Sequence, residues 1–249
     1  MRSNPCKDPV WLAGVDGCRA GWVAAFVQPD GDDVRVRNIR HFADVLTAPE
    51  APVIVAVDIP IGLPECIGPA GRGPERLIRP LLGERQSSVF SVPSRAAIYA
   101  ADFGAACAAA LATSKPPRKV SKQLVMIAPK IKEVDAVLRA DRTSIERVYE
   151  VHPELAFWRR NGERALDQPK KVKGACYVPG LTLRRRLLIK ADIPTSVVEV
   201  ARPKGAGIDD MLDALACATV ARRIYAGHAW PFPDPPGRDA FDLPVAIWA

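Results

Sequence analysis

Val53-Ile54-Val55-Ala56-Val57-Asp58 is an apolar run of strand length closed by a carboxylate, with Ile59-Pro60 breaking the chain after it. A strand with one wet face alternates apolar and polar residues, and this one does not. Unbroken apolarity implies burial on both faces, as in a central position of a parallel sheet. The acid at its end is then informative, because such sheets place their sites just beyond the C-terminal ends of their strands. Val10-Trp11-Leu12-Ala13-Gly14-Val15-Asp16 repeats the same grammar. Each aspartate taken alone also fits a turn, with Gly17 after one and Pro60 near the other.

Working outward, residues 10–16 read as a first strand, 17–21 as a turn and 22–28 as a second strand. Pro29-Asp30-Gly31-Asp32-Asp33 is a hairpin signal. Residues 34–40 alternate apolar and basic like a half-exposed third strand, and a short helix over 42–47 leads to the fourth at 53–57. Residues 61–145 change texture, with Gly and Pro first and helical patterns at 75–82, 94–113 and 123–139, so they read as a helical insertion. Residues 147–152 supply a fifth strand. A polar, basic stretch over 159–173 follows, then helices at 181–191 and 209–225, and a proline-rich tail over 229–249 expected to wrap the surface. The fold expected is α/β, a mixed five-stranded sheet flanked by helices, forming a single domain over 1–249.

Composition narrows the function classes. With 249 residues, 48% of them apolar, the chain can bury one large core. Its net charge of +7 favours acidic partners such as nucleic acid. The six cysteines, Cys6, Cys18, Cys66, Cys107, Cys176 and Cys217, show no CxxC spacing, and only three histidines accompany them, so no zinc site is expected. No stretch reaches the roughly 20 apolar residues of a membrane span, and Met1 to Lys7 leads into a strand rather than a signal-peptide core. The expectation is a cytoplasmic protein with reduced thiols.

A third acidic set lies at Asp209-Asp210-Met211-Leu212-Asp213-Ala214. On a helix, Asp213 shares a face with Asp210 at three residues and with Asp209 at four, while Asp209 and Asp210 diverge by about 100°. Asp209 also suits a helix start, whereas Asp213, between Leu212 and Ala214, needs a partner. Asp16, Asp58 and either Asp210 or Asp213 would give three separately supplied carboxylates, a donor set for Mg²⁺ or Mn²⁺. Glu150-Val151-His152-Pro153-Glu154 adds Glu150 as a further ligand or a base positioning water, with His152 reading as a hydrogen-bonded strand end. In the loop over 83–95, Ser87, Ser88 and Arg95 can bind phosphate, with helix capping by Ser94 as the plainer reading. Gln123, Lys130 and Lys170-Lys171-Val172-Lys173 extend a basic track or form solvated faces.

Gly14 to Trp22, Val57 to Pro64, Ser87-Ser88-Val89-Phe90, Lys130 to Asp135, Glu150 to Glu154 and Asp209-Asp210-x-x-Asp213-Ala214 resemble the domain of unknown function 429 family, regarded as predicted nucleases of the RNase H-like fold. The resemblance runs from about Val10 to Gly227. It implies three antiparallel strands followed by parallel ones, with helices on both faces. It also implies Asp16 as first-strand ligand, Asp58 as fourth-strand ligand and Asp210 or Asp213 as helix ligand. The Asp-x-x-Asp-Ala of the late helix is similar to that of RuvC-type resolvases.

The first functional expectation is therefore a metal-dependent nuclease that hydrolyses nucleic-acid phosphodiester bonds. A non-catalytic nucleic-acid or protein-binding module on the same fold is the alternative. Phosphoryl transfer from ATP is less well matched, since Asp16-Gly17-Cys18 lacks the Asp-x-Gly phosphate loop of such kinases.

Overall fold

The structure, a computed structural model, describes residues 9–249 apart from Ala70 and Ala201; Cys6 and the segment Met1 to Lys7 lie outside the described residues. The chain opens with three strands, β1 (Leu12–Cys18), β2 (Gly21–Val27) and β3 (Val34–Ile39), then α1 (Phe42–Leu46) and β4 (Ile54–Val57). Helices α2 (Gly73–Ile78), α3 (Arg95–Tyr99), α4 (Phe103–Thr113) and α5 (Gln123–Ala140) fill the interval before β5 (Val148–Glu150). After these come α6 (Pro153–Arg160), the short hairpin of β6 (Lys171–Val172) and β7 (Ala175–Cys176), α7 (Val178–Ile189), α8 (Thr195–Val198) and α9 (Ile208–Tyr225). Strands β8 (Pro231–Arg238) and β9 (Pro244–Trp248) close the chain. No described helix is long and apolar enough to cross a membrane.

The main sheet has the order β3-β2-β1-β4-β5. β1 pairs antiparallel with β2, and β2 with β3, while β4 runs parallel to both β1 and β5. This is the mixed five-stranded α/β sheet expected from the sequence. Alternation along β1, β2 and β4 then builds two cores. Ala13, Val15, Trp22, Phe26, Val55 and Val57 pack against α1, α3 and α5, whereas Leu12, Val23, Val27 and Ala56 pack against α6, α7 and α9. The arginines that alternate along edge strand β3 lie over aromatic rings, with Arg35 above Trp11 and Arg37 above Phe26, and both pair with Glu50.

Helix α9 lies closest to the sheet, and Gly14 is the reason. A Cβ built at Gly14 would stand 2.0 Å from the backbone nitrogen of Ala218 and 2.2 Å from the carbonyl oxygen of Ala214. Only hydrogen fits at that crossing, so the absent side chain and the small alanines set the depth of the helix. Met211, Leu212 and Leu215 are buried in the same face, each such side chain contributing roughly 1.5–3 kcal/mol.

Four local expectations are corrected. The alanine-rich stretch over 94–113 is two helices, because the backbone extends at Ala100 and the Asp102 carboxylate accepts from Ala105 N–H at 2.8 Å to start α4. The helix over 75–82 begins at Gly73 and tightens into 3₁₀ turns over Arg79–Ser88, which pivot at Gly83 with φ of 51°. The polar stretch from 159 hides the end of α6, which Pro153 starts at a position where no N–H is needed. The proline-rich tail lies at the surface along β8 but is regular rather than a strap. It forms the β8–β9 hairpin, with Ala246 and Ile247 buried. Every strand of a two-stranded sheet has a free edge, where the missing N–H of proline leaves no bond unmade.

Candidate metal centre

The register of β1 and β4 makes the first half of the site. Val15 lies opposite Val57, and Asp58 N–H donates to Val15 C=O at 2.9 Å. Asp16 and Asp58 are therefore neighbours at the C-terminal ends of two parallel strands, and both have the parity of the face that α9 covers. The close crossing at Gly14 then lowers α9 until Asp213, the residue before Ala214, reaches them. Carboxylate oxygens of Asp16, Asp58 and Asp213 all lie within 4.8 Å of one another. Asp213 is 2% exposed and Asp16 9%.

Gathering three acids out of water is electrostatically costly. Burial, then Asp58 and Asp213, hold the Asp16 carboxyl well above the usual carboxylate range. Burial and the Asp213 charge push Asp58 up to about 8. Burial raises Asp213 to about 6 against the opposing pull of Lys170, whose ammonium donates to Asp213 Oδ2. Oδ1 of the same carboxylate is buried with no hydrogen-bond partner. Converging, mutually repelling and partly unpartnered oxygens fit a hard divalent cation, so the trio can hold one.

The sequence profile described as "Protein of unknown function (DUF429)" matches residues 14–238. The chain belongs to the DUF429 family. The matched stretch contains Asp16, Asp58 and Asp213. Comparison with curated proteins and with solved structures gave no match.

The other expected residues of this DUF429 chain divide into those at the site and those spent on structure. An open cleft of about 1010 Å³ contains Asp16 and Asp58 in its wall, and Ser87, Ser88, Gln123, Lys130, Glu150 and Asp210 also line it. Lys130 lies along Gly17, where a Cβ would meet its Cδ at 2.6 Å, and its ammonium donates to Gly21 C=O and sits 4.4 Å from the centre of the Trp22 ring. Glu150 has both oxygens engaged, by Arg72 at 2.5 Å and by Ile61 N–H at 2.7 Å. Arg72 in turn donates to the Ile61 and Gly62 carbonyls, so Glu150 fixes the loop that follows Asp58 rather than joining the trio.

Asp210 accepts from Gly207 N–H at 2.8 Å and is the acid that secures the start of α9; Asp209 pairs with Lys171 instead. Asp210 stays outside the trio although it lines the cleft. Arg95 is corrected. Ser94 caps α3, and Arg95 turns inward to Asp135 at 2.8 Å and Asp239 at 2.7 Å, with Phe241 under its guanidinium, so it does not line the cleft.

Two site residues escaped the sequence reading. Lys170 was one charge in a run, and nothing in its spacing distinguishes it from a solvated lysine. Glu154, whose signal was its place in Glu150-Val151-His152-Pro153-Glu154, lines the cleft with one oxygen bound by buried Arg184 and the other unpartnered.

The raised acids carry a pH signature. Burial and the Asp213 charge push Asp58 up to about 8 from 3.8, and burial pushes Glu150 up to about 7 from 4.5 against the pull of Arg72. The folded state thus binds more protons than the unfolded one between those limits, and stability falls as pH rises through them. His152 has the opposite sign, since burial lowers it to about 4 from 6.5, and its contribution is lost as pH falls between these values. Above the His152 window Asp58 and Glu150 both act in the one direction. The melting temperature in chelator is expected to fall between about pH 6.5 and about pH 8.5, and saturating Mn²⁺ to reduce that fall. A flat profile in chelator would contradict the clustered acids.

Proposed function

We propose that Asp16, Asp58 and Asp213 hold Mg²⁺ or Mn²⁺ on an RNase H-like fold, and that the cleft beside them hydrolyses nucleic-acid phosphodiester bonds. The observation that carries this reading is the convergence of three carboxylates, buried Asp16 on β1 and Asp213 on α9 with partly exposed Asp58 just after β4, one oxygen still unpartnered, at the C-terminal ends of parallel strands. Bound there, such an ion supplies charge neutralisation at the phosphate and a lowered pKa for water.

The chain's own groups support the same substrate. Lys130 brings a positive charge over Gly17, next to Asp16, and Ser87, Ser88 and Gln123 bring uncharged donors to the same cleft. These are phosphate-binding groups, and the net charge of +7 favours a polyanion. Glu150 and Arg72 act behind them by fixing the Ile61–Gly62 turn, and so the direction in which Asp58 points.

The test is cleavage of single-stranded and duplex DNA, RNA and hybrid by the purified chain with Mg²⁺ or Mn²⁺. Cleavage above that of the Asp16→Asn variant is expected, with loss in chelator. Undiminished nucleic-acid affinity in that variant, without cleavage by either chain, would favour the binding-module reading instead.

A further inference from the structure

Lys170 and Lys171 are adjacent in sequence, and their partners Asp213 and Asp209 are one turn apart on α9. The lysine doublet thus ties the chain before α7 to the helix that carries the third carboxylate.

The two sides of the doublet differ. Behind it the backbone is fixed. The Pro169 carbonyl lies so close to α7 that a Cβ at Gly180 would stand 1.8 Å from it, and the Gln168 carbonyl accepts from Arg184 at 3.0 Å. Arg184 is itself wholly buried and bound to Glu154. Ahead of it every residue from 171 to 176 is exposed, and the β6–β7 hairpin turns at Lys173 and Gly174, both with positive φ. Lys170 stands at the boundary between an anchored segment and an exposed one, and its ammonium is aimed at the trio.

The charge at that point is the kind a metal ion would supply. The Lys170 ammonium donates to Asp213 Oδ2, and a carboxylate oxygen of Asp213 lies within 4.8 Å of oxygens of Asp16 and Asp58. A divalent ion on the same carboxylates would stand within a few ångströms of this ammonium, where like charges repel strongly because little water intervenes.

We propose that Lys170 is a built-in countercharge for Asp16, Asp58 and Asp213, displaced when a divalent ion binds, and that its displacement loosens the β6–β7 hairpin from α9. This rests on the reading of the trio as a metal centre. The paired state is then the one that cannot bind metal, and its population lowers the apparent affinity. Release also frees a lysine at the edge of the cleft, where the proposed substrate carries its phosphates.

Calorimetric titration of Mn²⁺ into the full chain and into Lys170→Gln tests the competition, with Asp16→Asn as the control for binding at the trio. The variant is expected to bind about tenfold more tightly, because no internal cation has to leave. Equal or weaker binding by a folded variant overturns the proposal while leaving the metal centre intact. No binding by either chain overturns the metal centre, and the proposal with it. Hydrogen–deuterium exchange of wild-type residues 170–177 gives an answer even where the variant does not fold. Faster exchange on adding Mn²⁺ supports release, whereas bound Mn²⁺ with unchanged or slower exchange there overturns it.

Discussion

Gly14→Ala unfolds at a markedly lower urea concentration than the wild type, with a loss of at least about 3 kcal/mol expected, at or beyond the upper end of ordinary overpacking. The added methyl would meet backbone atoms of α9, Ala218 N at 2.0 Å and Ala214 O at 2.2 Å. Backbone in a helix held by Met211, Leu212 and Leu215 cannot rotate aside as a side chain can. The helix must lift from β1, and the apolar face it buries must part from the sheet. Gly68→Ala is the control, since a Cβ there has nothing within 4 Å, and a change within about 0.5 kcal/mol is expected. Equal stability of the two variants would show that α9 is not positioned by Gly14. Function should suffer even in the folded fraction, because the lift that relieves the clash also carries Asp213 away from Asp16.

Asp58→Asn is expected to move activity and stability in opposite directions. Removing one preorganised charge at the reacting centre should cost about 10³-fold or more in metal-dependent cleavage. The same change removes an acid that burial and the Asp213 charge already push up to about 8. At about pH 9 in chelator the wild type must ionise this group inside the cluster, whereas asparagine stays neutral, so the variant should melt at a higher temperature. At about pH 5 the folded wild-type carboxyl is protonated while the unfolded one is still ionised, so the gap should narrow, and it should close only below about pH 4. Residues retained at a cost in stability are expected where function requires them. Thermal melting of both chains at both pH values checks the prediction. A variant less stable than wild type at the higher pH would mean that Asp58 is paired rather than repelled.

Much of this was legible in the chain because strand burial writes itself into composition. Residues 54–57 lack any polar residue and form β4, an inner strand paired on both sides, although Val53 before it is exposed, and residues 34–39 alternate and form the edge strand β3. The trio was foreshadowed for the same reason, since an acid that ends a buried run is conspicuous. The convergence was not legible. It depends on the parallel register that sets Val15 opposite Val57 and on a glycine whose importance lies in a helix two hundred residues away. Arg95 and Lys170 show the limit most clearly. Arg95 sits in a hydroxyl-rich loop and turns to the core, while Lys170 sits in a basic run and turns to the acids. Charge says that a partner is required, and only the folded chain says which one.

Anomalous diffraction from crystals of the chain grown with Mn²⁺ would locate the ion itself. A Mn²⁺ peak is expected within coordination distance of Asp16, Asp58 and Asp213. The contradicting result is no peak there, with Lys170 still bound to Asp213.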